Sequence, residues 1–260
     1  MFAAQRYRGG GLLTGSQSRQ SFRIVWASGA NTEKGAMPKL LVCVEGAIGA
    51  GKSTLLNNLD SKTLPGVKTL KEPVDEWKGV TVGDGKNMLE GMYDGSLPSS
   101  LFQLSVLQSR FAPLVAALCD PQNKIVVSER GPWSEKEVFA RSNLSKGEFA
   151  CYEFAHASLT KNLIPLCGDI DVLFLHLFMP TDSVMERIVK RGRAEEASIT
   201  NAYISTLQEA HTKMKRELVA PGDLGDAANI LSVKHIEIYA DQGEEELTRV
   251  ALDTILRAAE

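Results

Sequence analysis

At 260 residues, 43% hydrophobic and 23% charged, the chain has the composition of a globular protein able to bury a sizeable core. Its 29 basic and 32 acidic residues leave a net charge of −3, which gives no general reason to expect nucleic acid as a partner. No stretch approaches the roughly 18 consecutive apolar residues of a membrane helix, so no membrane partner is expected either.

Residues 1–38 differ from the rest. Arg6, Arg8, Arg19 and Arg23 precede the first acidic residue, Glu33, among serines and a Gly9-Gly10-Gly11 run. This is the composition of an organelle transit peptide; it also fits a plain N-terminal extension, or residues upstream of a functional start at Met37. The localisation is accordingly read as mitochondrial or cytoplasmic, and the folded domain is placed at 39–260.

From Lys39 onward short apolar runs alternate with helical patterns. Strands are expected at 40–44, 67–71, 124–128, 172–177 and 235–239. Helices are expected at 52–59, 86–93, 99–119, 134–141, 146–163, 181–190, 200–219 and 244–259. Short apolar strands separated by helices imply an α/β fold with a five-stranded parallel sheet covered on both faces, ligands binding beyond the strand C-terminal ends.

The first strand runs into Gly46-Ala47-Ile48-Gly49-Ala50-Gly51-Lys52-Ser53-Thr54, which fits the P-loop pattern G-x-x-x-x-G-K-[ST]. Its glycines let successive backbone N–H groups turn toward phosphate oxygens, and the following helix adds its positive end. Lys52 would reach the outer phosphates and the Ser53 hydroxyl would ligate Mg²⁺.

The second strand ends in Glu72-Pro73-Val74-Asp75-Glu76-Trp77, where Pro73 stops the strand and leaves the Glu72 carboxylate at its edge. The third ends in Ser128-Glu129-Arg130-Gly131. Here Glu129 would hold Mg²⁺ through its water shell and Arg130 would clamp a phosphate or carboxylate, unless the two form an ordinary ion pair. Further on, the helix from Thr181 ends in a basic cluster, Arg187 to Arg193, with Gly192 inside it. This reads as a cationic flap over phosphates. The cysteines Cys43, Cys119, Cys151 and Cys167 show no C-x-x-C spacing and are read as reduced thiols. The histidines His156, His176, His211 and His235 offer no metal-ligand spacing.

In this order the motifs E-G-x-I-G-A-G-K-S-T, E-P-V-x-x-W, F-Q, E-R and R-G-R-x-E-E resemble the deoxyribonucleoside kinase family, over roughly Lys39 to the C-terminus. Its deoxycytidine and deoxyguanosine kinase branch is nearest, and the mitochondrial thymidine kinase and insect enzymes are related. The resemblance implies an ATP-dependent transfer to the 5′-hydroxyl of a deoxynucleoside, with Mg²⁺, an arginine-rich lid and a homodimer built on the helices at 99–119 and 146–163. Glu72 then matches the base, Arg130 the arginine at the reacting hydroxyl, and Glu129 the magnesium-associated glutamate. Gln103 matches the residue that pairs with the nucleobase, Trp77, Phe102 and Phe139 its aromatic walls, and Tyr93 with Glu196 the pair on the sugar 3′-hydroxyl. Arg187, Arg191 and Arg193 match the lid, and Asp241 lies where the family binds the donor's adenine.

Arg110 and Glu135 stand where the deoxycytidine and deoxyguanosine kinases carry an arginine and an aspartate, so the resemblance leans to deoxycytidine and the deoxypurines. The alternatives are a thymidine-preferring or broad-specificity kinase, a nucleoside monophosphate kinase, and a non-catalytic kinase-like subunit. Gly131 departs from the family, which usually has serine there.

Overall fold

A computed structural model describes residues 38–225 and 229–260. Of the N-terminal extension read at 1–38, all but Pro38 lies outside the described residues.

The first strand, β1 (Lys39–Glu45), shows why the sheet is buried on both faces. Leu40, Val42 and Val44 enter one core with Leu55, Leu56 and Ile255, while Leu41 and Cys43 enter a second with Leu107, Phe111 and Tyr152. Side chains alternate along a strand, so a run apolar at every position must be covered twice. After β1 come α1 (Lys52–Ser61), β2 (Val67–Leu70) and α2 (Val74–Gly79). A two-residue ribbon follows, β3 (Thr81–Val82) against β4 (Lys86–Asn87), and then α3 (Met88–Asp94) and α4 (Ser99–Cys119).

Next is β5 (Ile125–Glu129), followed by a helical run of α5 (Pro132–Ser134), a π-helical turn at Glu135–Ala140 and α6 (Arg141–Asn143). The remaining elements are α7 (Lys146–Leu163), β6 (Ile170–Phe178), α8 (Thr181–Arg191), α9 (Asn201–Glu217), β7 (Ile230–Tyr239) and α10 (Glu244–Ala258).

The sheet order is β2-β5-β1-β6-β7 and every neighbouring pair is parallel, as the alternating pattern predicts. The three chain segments that leave β1, β5 and β2 therefore emerge side by side. They carry the glycine-rich loop, the Glu129-Arg130 pair and Glu72.

Several boundaries differ from the sequence reading. The helix expected at 86–93 starts at Met88, because Asn87 caps it: the Asn87 side chain accepts from the N–H groups of Leu89 and Glu90, both at 3.0 Å. Helix α2 was not expected at all; its six residues give too short a window for periodicity. The helix expected at 134–141 begins at Pro132, suited to a first helical position, and is π-helical in its middle. The last strand begins at Ile230, five residues before the expected His235.

Helix α4, with 21 residues and a mean hydropathy of 1.3 in its best window, is by length and composition apolar enough to cross a membrane, although Gln103, Gln108 and Arg110 interrupt its apolar run. In the fold it lies against the sheet: Phe111, Leu114 and Leu118 fill the second core. On the two helices that the resemblance assigns to a dimer, those three residues and Tyr152 are buried within the chain, whereas Phe154 is 79% exposed.

Candidate active site

The loop after β1 needs its first glycine for two reasons. Gly46 has φ of 139°, and a Cβ there would lie 2.6 Å from the Leu177 carbonyl oxygen. Lys52, at the start of α1, is buried and donates from Nζ to the carbonyls of Gly46 at 3.0 Å and Ala47 at 2.8 Å. Burial, reinforced by the Arg130 charge, brings its ammonium down to about 7. Ser53 Oγ donates to Glu129 Oε1 at 2.8 Å. These are hard oxygen groups, suited to magnesium or to the water around it.

Behind this loop sits a residue that the sequence reading passed over. Glu45 ends β1 fully buried, accepts from the Gly131 N–H at 2.9 Å, and leaves Oε2 without a partner. Burial raises its proton affinity, against the hydrogen bond from Ser134. Its signal was visible as an acidic residue closing a wholly apolar strand. A Cβ at Gly131 would lie 2.5 Å from Cys43 Sγ, which explains why the serine usual in the family is replaced here.

Four charged side chains from four segments meet beyond β2 and β5. Glu72 forms an ion pair with Arg130 and another with Arg110, at 3.0 Å from Arg110 Nη1. The same Arg110 Nη1 lies 2.6 Å from Glu135. Arg110 also donates to the Glu129 carbonyl, and to that of Arg130 at 3.3 Å.

One guanidinium thus serves two carboxylates. Burial works against the Glu72 anion, but Arg130, Arg110 and Lys52 together hold it well below the usual carboxylate range. Burial pushes Glu135 up to about 7; Arg110 opposes this and the Glu72 charge adds to it. The expected Arg110–Glu135 pair is present, and Glu72 is its unexpected third member.

Arg130 adopts φ of 62°, a left-handed conformation uncommon for a residue with a side chain. Its N–H bonds to the Val44 carbonyl at 2.9 Å, and its guanidinium lies 4.5 Å above the Phe139 ring. Such strain, of order 1–3 kcal/mol, concentrates where a side chain must be aimed.

The loop and the charged cluster line one cleft of about 1160 Å³, whose remaining walls are apolar on one side and basic on the other. Trp77 and Phe102 meet edge to face at 6.1 Å, with Trp77 Nε1 donating to Ser109 Oγ at 3.0 Å. Gln103, Tyr93 and Phe139 also line the cleft, Gln103 being buried although polar.

On the basic wall Arg191 grips Glu196 at 2.7 and 2.5 Å, and Arg193 reaches it at 3.4 Å. Glu196 and Tyr93, expected as a pair, both face the cleft, but Glu196 is held by the arginines. Arg187 donates to the Ala240 carbonyl at 3.2 Å and lies 3.8 Å from Asp241. The sequence reading missed Tyr203 and the Lys78–Glu195 ion pair, which bridges the segment after β2 to the basic flap. Tyr203 and Lys78 lie outside the contiguous motifs, and Glu195, although inside R-G-R-x-E-E, gives no local sign of a partner so far back in the chain.

The arrangement places an anion-binding loop, a basic flap and a buried carboxylate–guanidinium cluster around one cleft beside an aromatic pocket. The description of the family model that matches residues 42–253 is deoxynucleoside kinase. A thymidine kinase of Ictalurid herpesvirus 1 (strain Auburn) is 30% identical over 174 residues, covering 66% of this chain and 72% of the relative. Deoxycytidine kinase 2 of Gallus gallus is 28% identical over 195 residues, covering 65% and 71%. A solved structure of deoxyadenosine kinase from M. mycoides, with dCMP and a flexible dCDP bound, superposes with a TM-score of 0.60. It shares 19% identity and covers 84% of this chain and 99% of that one, a likeness of fold.

Proposed function

The chain belongs to the deoxynucleoside kinase family and phosphorylates nucleosides from a nucleotide donor; on that premise we propose that it uses ATP and prefers deoxycytidine and the deoxypurines. The observation that carries the preference is Arg110 bonded to both Glu72 and Glu135 beside Gln103. A buried, charged pair rejects a base edge that leaves it unpaired, and the methyl of thymine would meet it badly.

In this reading Lys52 and the flap arginines Arg187, Arg191 and Arg193 neutralise the phosphates, and Ser53 and Glu129 hold Mg²⁺, which supplies further charge neutralisation when bound. Residues 46–54 cradle the donor and Asp241 lies by its adenine. Trp77, Phe102 and Phe139 wall the base, Gln103 bonds it, and Tyr93 with Glu196 holds the sugar. Glu72 orients the 5′-hydroxyl. Its low proton affinity suits a group that accepts the proton late, because a loose phosphoryl transition state needs little deprotonation of the nucleophile beforehand. Arg130 steadies both Glu72 and the moving phosphoryl group. We also propose a homodimer through the outer faces of α4 and α7, where Leu101 and Phe154 are exposed.

The test is kcat/KM for the four natural deoxynucleosides with Mg²⁺ and ATP. A lead of tenfold or more for deoxycytidine or a deoxypurine supports the reading. A lead for thymidine keeps the kinase and overturns the account of the base pocket. That second reading has an observation behind it, since the viral relative at 30% identity is named a thymidine kinase.

A further inference from the structure

Away from the cleft, two thiols separated by 48 positions meet. Cys119 is the last residue of α4 and is exposed; Cys167 closes the 3-10 turn at Ile164–Cys167, ahead of β6, and is buried. Their sulfurs lie 3.5 Å apart. The backbone on both sides is held. Lys39 Nζ donates to the carbonyls of Leu118 at 2.5 Å and Asp120 at 2.6 Å, and Asn229 Nδ2 donates to the carbonyl of Ile164 at 2.9 Å and to that of Gly168. A disulfide requires the sulfurs to close to about 2.05 Å, a movement within reach of side-chain rotation at the exposed cysteine. Burial pushes the Cys167 thiol well up, with the Cys119 thiol adding to it, so Cys119 is the sulfur placed to react first.

We propose that Cys119 and Cys167 form a redox-responsive dithiol, closed to a disulfide by low-molecular-weight disulfides such as oxidised glutathione. The Cys119 thiolate attacks one glutathione sulfur and expels a glutathione thiolate. Cys167, giving its proton to that thiolate, then attacks the Cys119 sulfur and expels the second glutathione. The protein loses two protons and two electrons, and the oxidant takes them up to become two glutathione thiols. The bond staples the end of α4 to the turn before β6. It lies nine residues beyond Arg110, about 14 Å along the helix, and so outside the cleft.

The experiment treats the full chain with oxidised glutathione, blocks remaining thiols and maps peptides by mass. Wild type is expected to yield a Cys119–Cys167 cross-linked peptide, two hydrogens lighter than its parts. Its Tm should rise by roughly 5–10 °C, with turnover changed less than twofold, and a reducing agent should reverse both changes. Cys167→Ser should stop at a mixed disulfide on Cys119, and Cys119→Ser should yield no bridge. A stable mixed disulfide on Cys119 in wild type, or an unreactive Cys119, would overturn the proposal. So would a loss of turnover on oxidation that Cys119→Ser prevents.

Discussion

The two ends of the cleft are built by different means. The phosphate end is made of backbone: consecutive residues of one loop, with Lys52 folded back onto that loop's own carbonyls. The base end is made of side chains: Glu72, Arg110, Arg130 and Glu135 come from four separate segments and share charge among themselves. A backbone site is specified locally and tolerates little change of shape. A side-chain site is specified by the whole fold, and changing one member alters the protonation of the others.

The strongest test of this difference is chemical. Lys52→Ala and Glu72→Gln should each lower kcat on the order of a hundred- to a thousand-fold or more. Calorimetry should find nucleoside binding retained in the Lys52 variant. In Glu72→Gln it should survive with a changed pH dependence, because Glu135 loses its neighbouring charge. Identical binding behaviour in the two variants would erase the distinction between the ends.

Steric disruption comes next. Gly46→Ala meets both a forbidden φ and the Leu177 carbonyl, and should cost roughly 3 kcal/mol in urea unfolding. At the base end, Arg110→Met leaves two carboxylates sharing a dry site and should cost a similar amount, roughly 3–5 kcal/mol. Adding Glu135→Ala should recover part of that stability and shift kcat/KM toward thymidine. Additive losses would mean that the pair is not coupled.

How much of this was legible in the sequence follows from the same contrast. Gly46, Lys52 and Ser53 announce themselves because their chemistry lies within a contiguous motif. The sheet was legible because its central strands are short and apolar; β7, ten residues with Lys234, His235 and Glu237 within it, was the strand whose start was misplaced. Arg110 and Glu135 were found only through resemblance, and their link to Glu72 was not found. An arginine 38 positions away along the chain gives no local sign that it will bond a given carboxylate. The Arg130 backbone bend was hidden for the same reason, since it is defined by what packs behind it.

Two pH dependences complete the comparison, with smaller effects. Glu135 loses its proton as pH rises through about 7. The profile of kcat/KM for the preferred nucleoside should therefore bend near pH 7, where Lys52 also titrates, and Glu135→Gln should leave only the Lys52 share of the bend. Away from either end, His156 is buried with Nε2 3.0 Å from the Pro132 carbonyl, and burial, helped by Lys136, lowers it to about 4. An unfolded histidine titrates near 6.5, so the stability that depends on neutral His156 is complete above that pH and is lost as pH falls toward 4. The loss is about 2 kcal/mol at pH 5. Comparing the pH dependence of urea unfolding in wild type and His156→Gln isolates that share from the carboxylates.

The position of Lys52 has a consequence for the heat of binding. Its ammonium already donates to two carbonyls, so an arriving phosphate exchanges partners with the loop. Because burial has brought the group to about 7, a polyanion beside it must draw protons from the buffer, about half a proton per site at pH 7. Titration calorimetry of ATP in buffers of unequal ionisation enthalpy would register that uptake as a slope, and Lys52→Met would flatten it. Donor affinity would then weaken as pH rises through about 7.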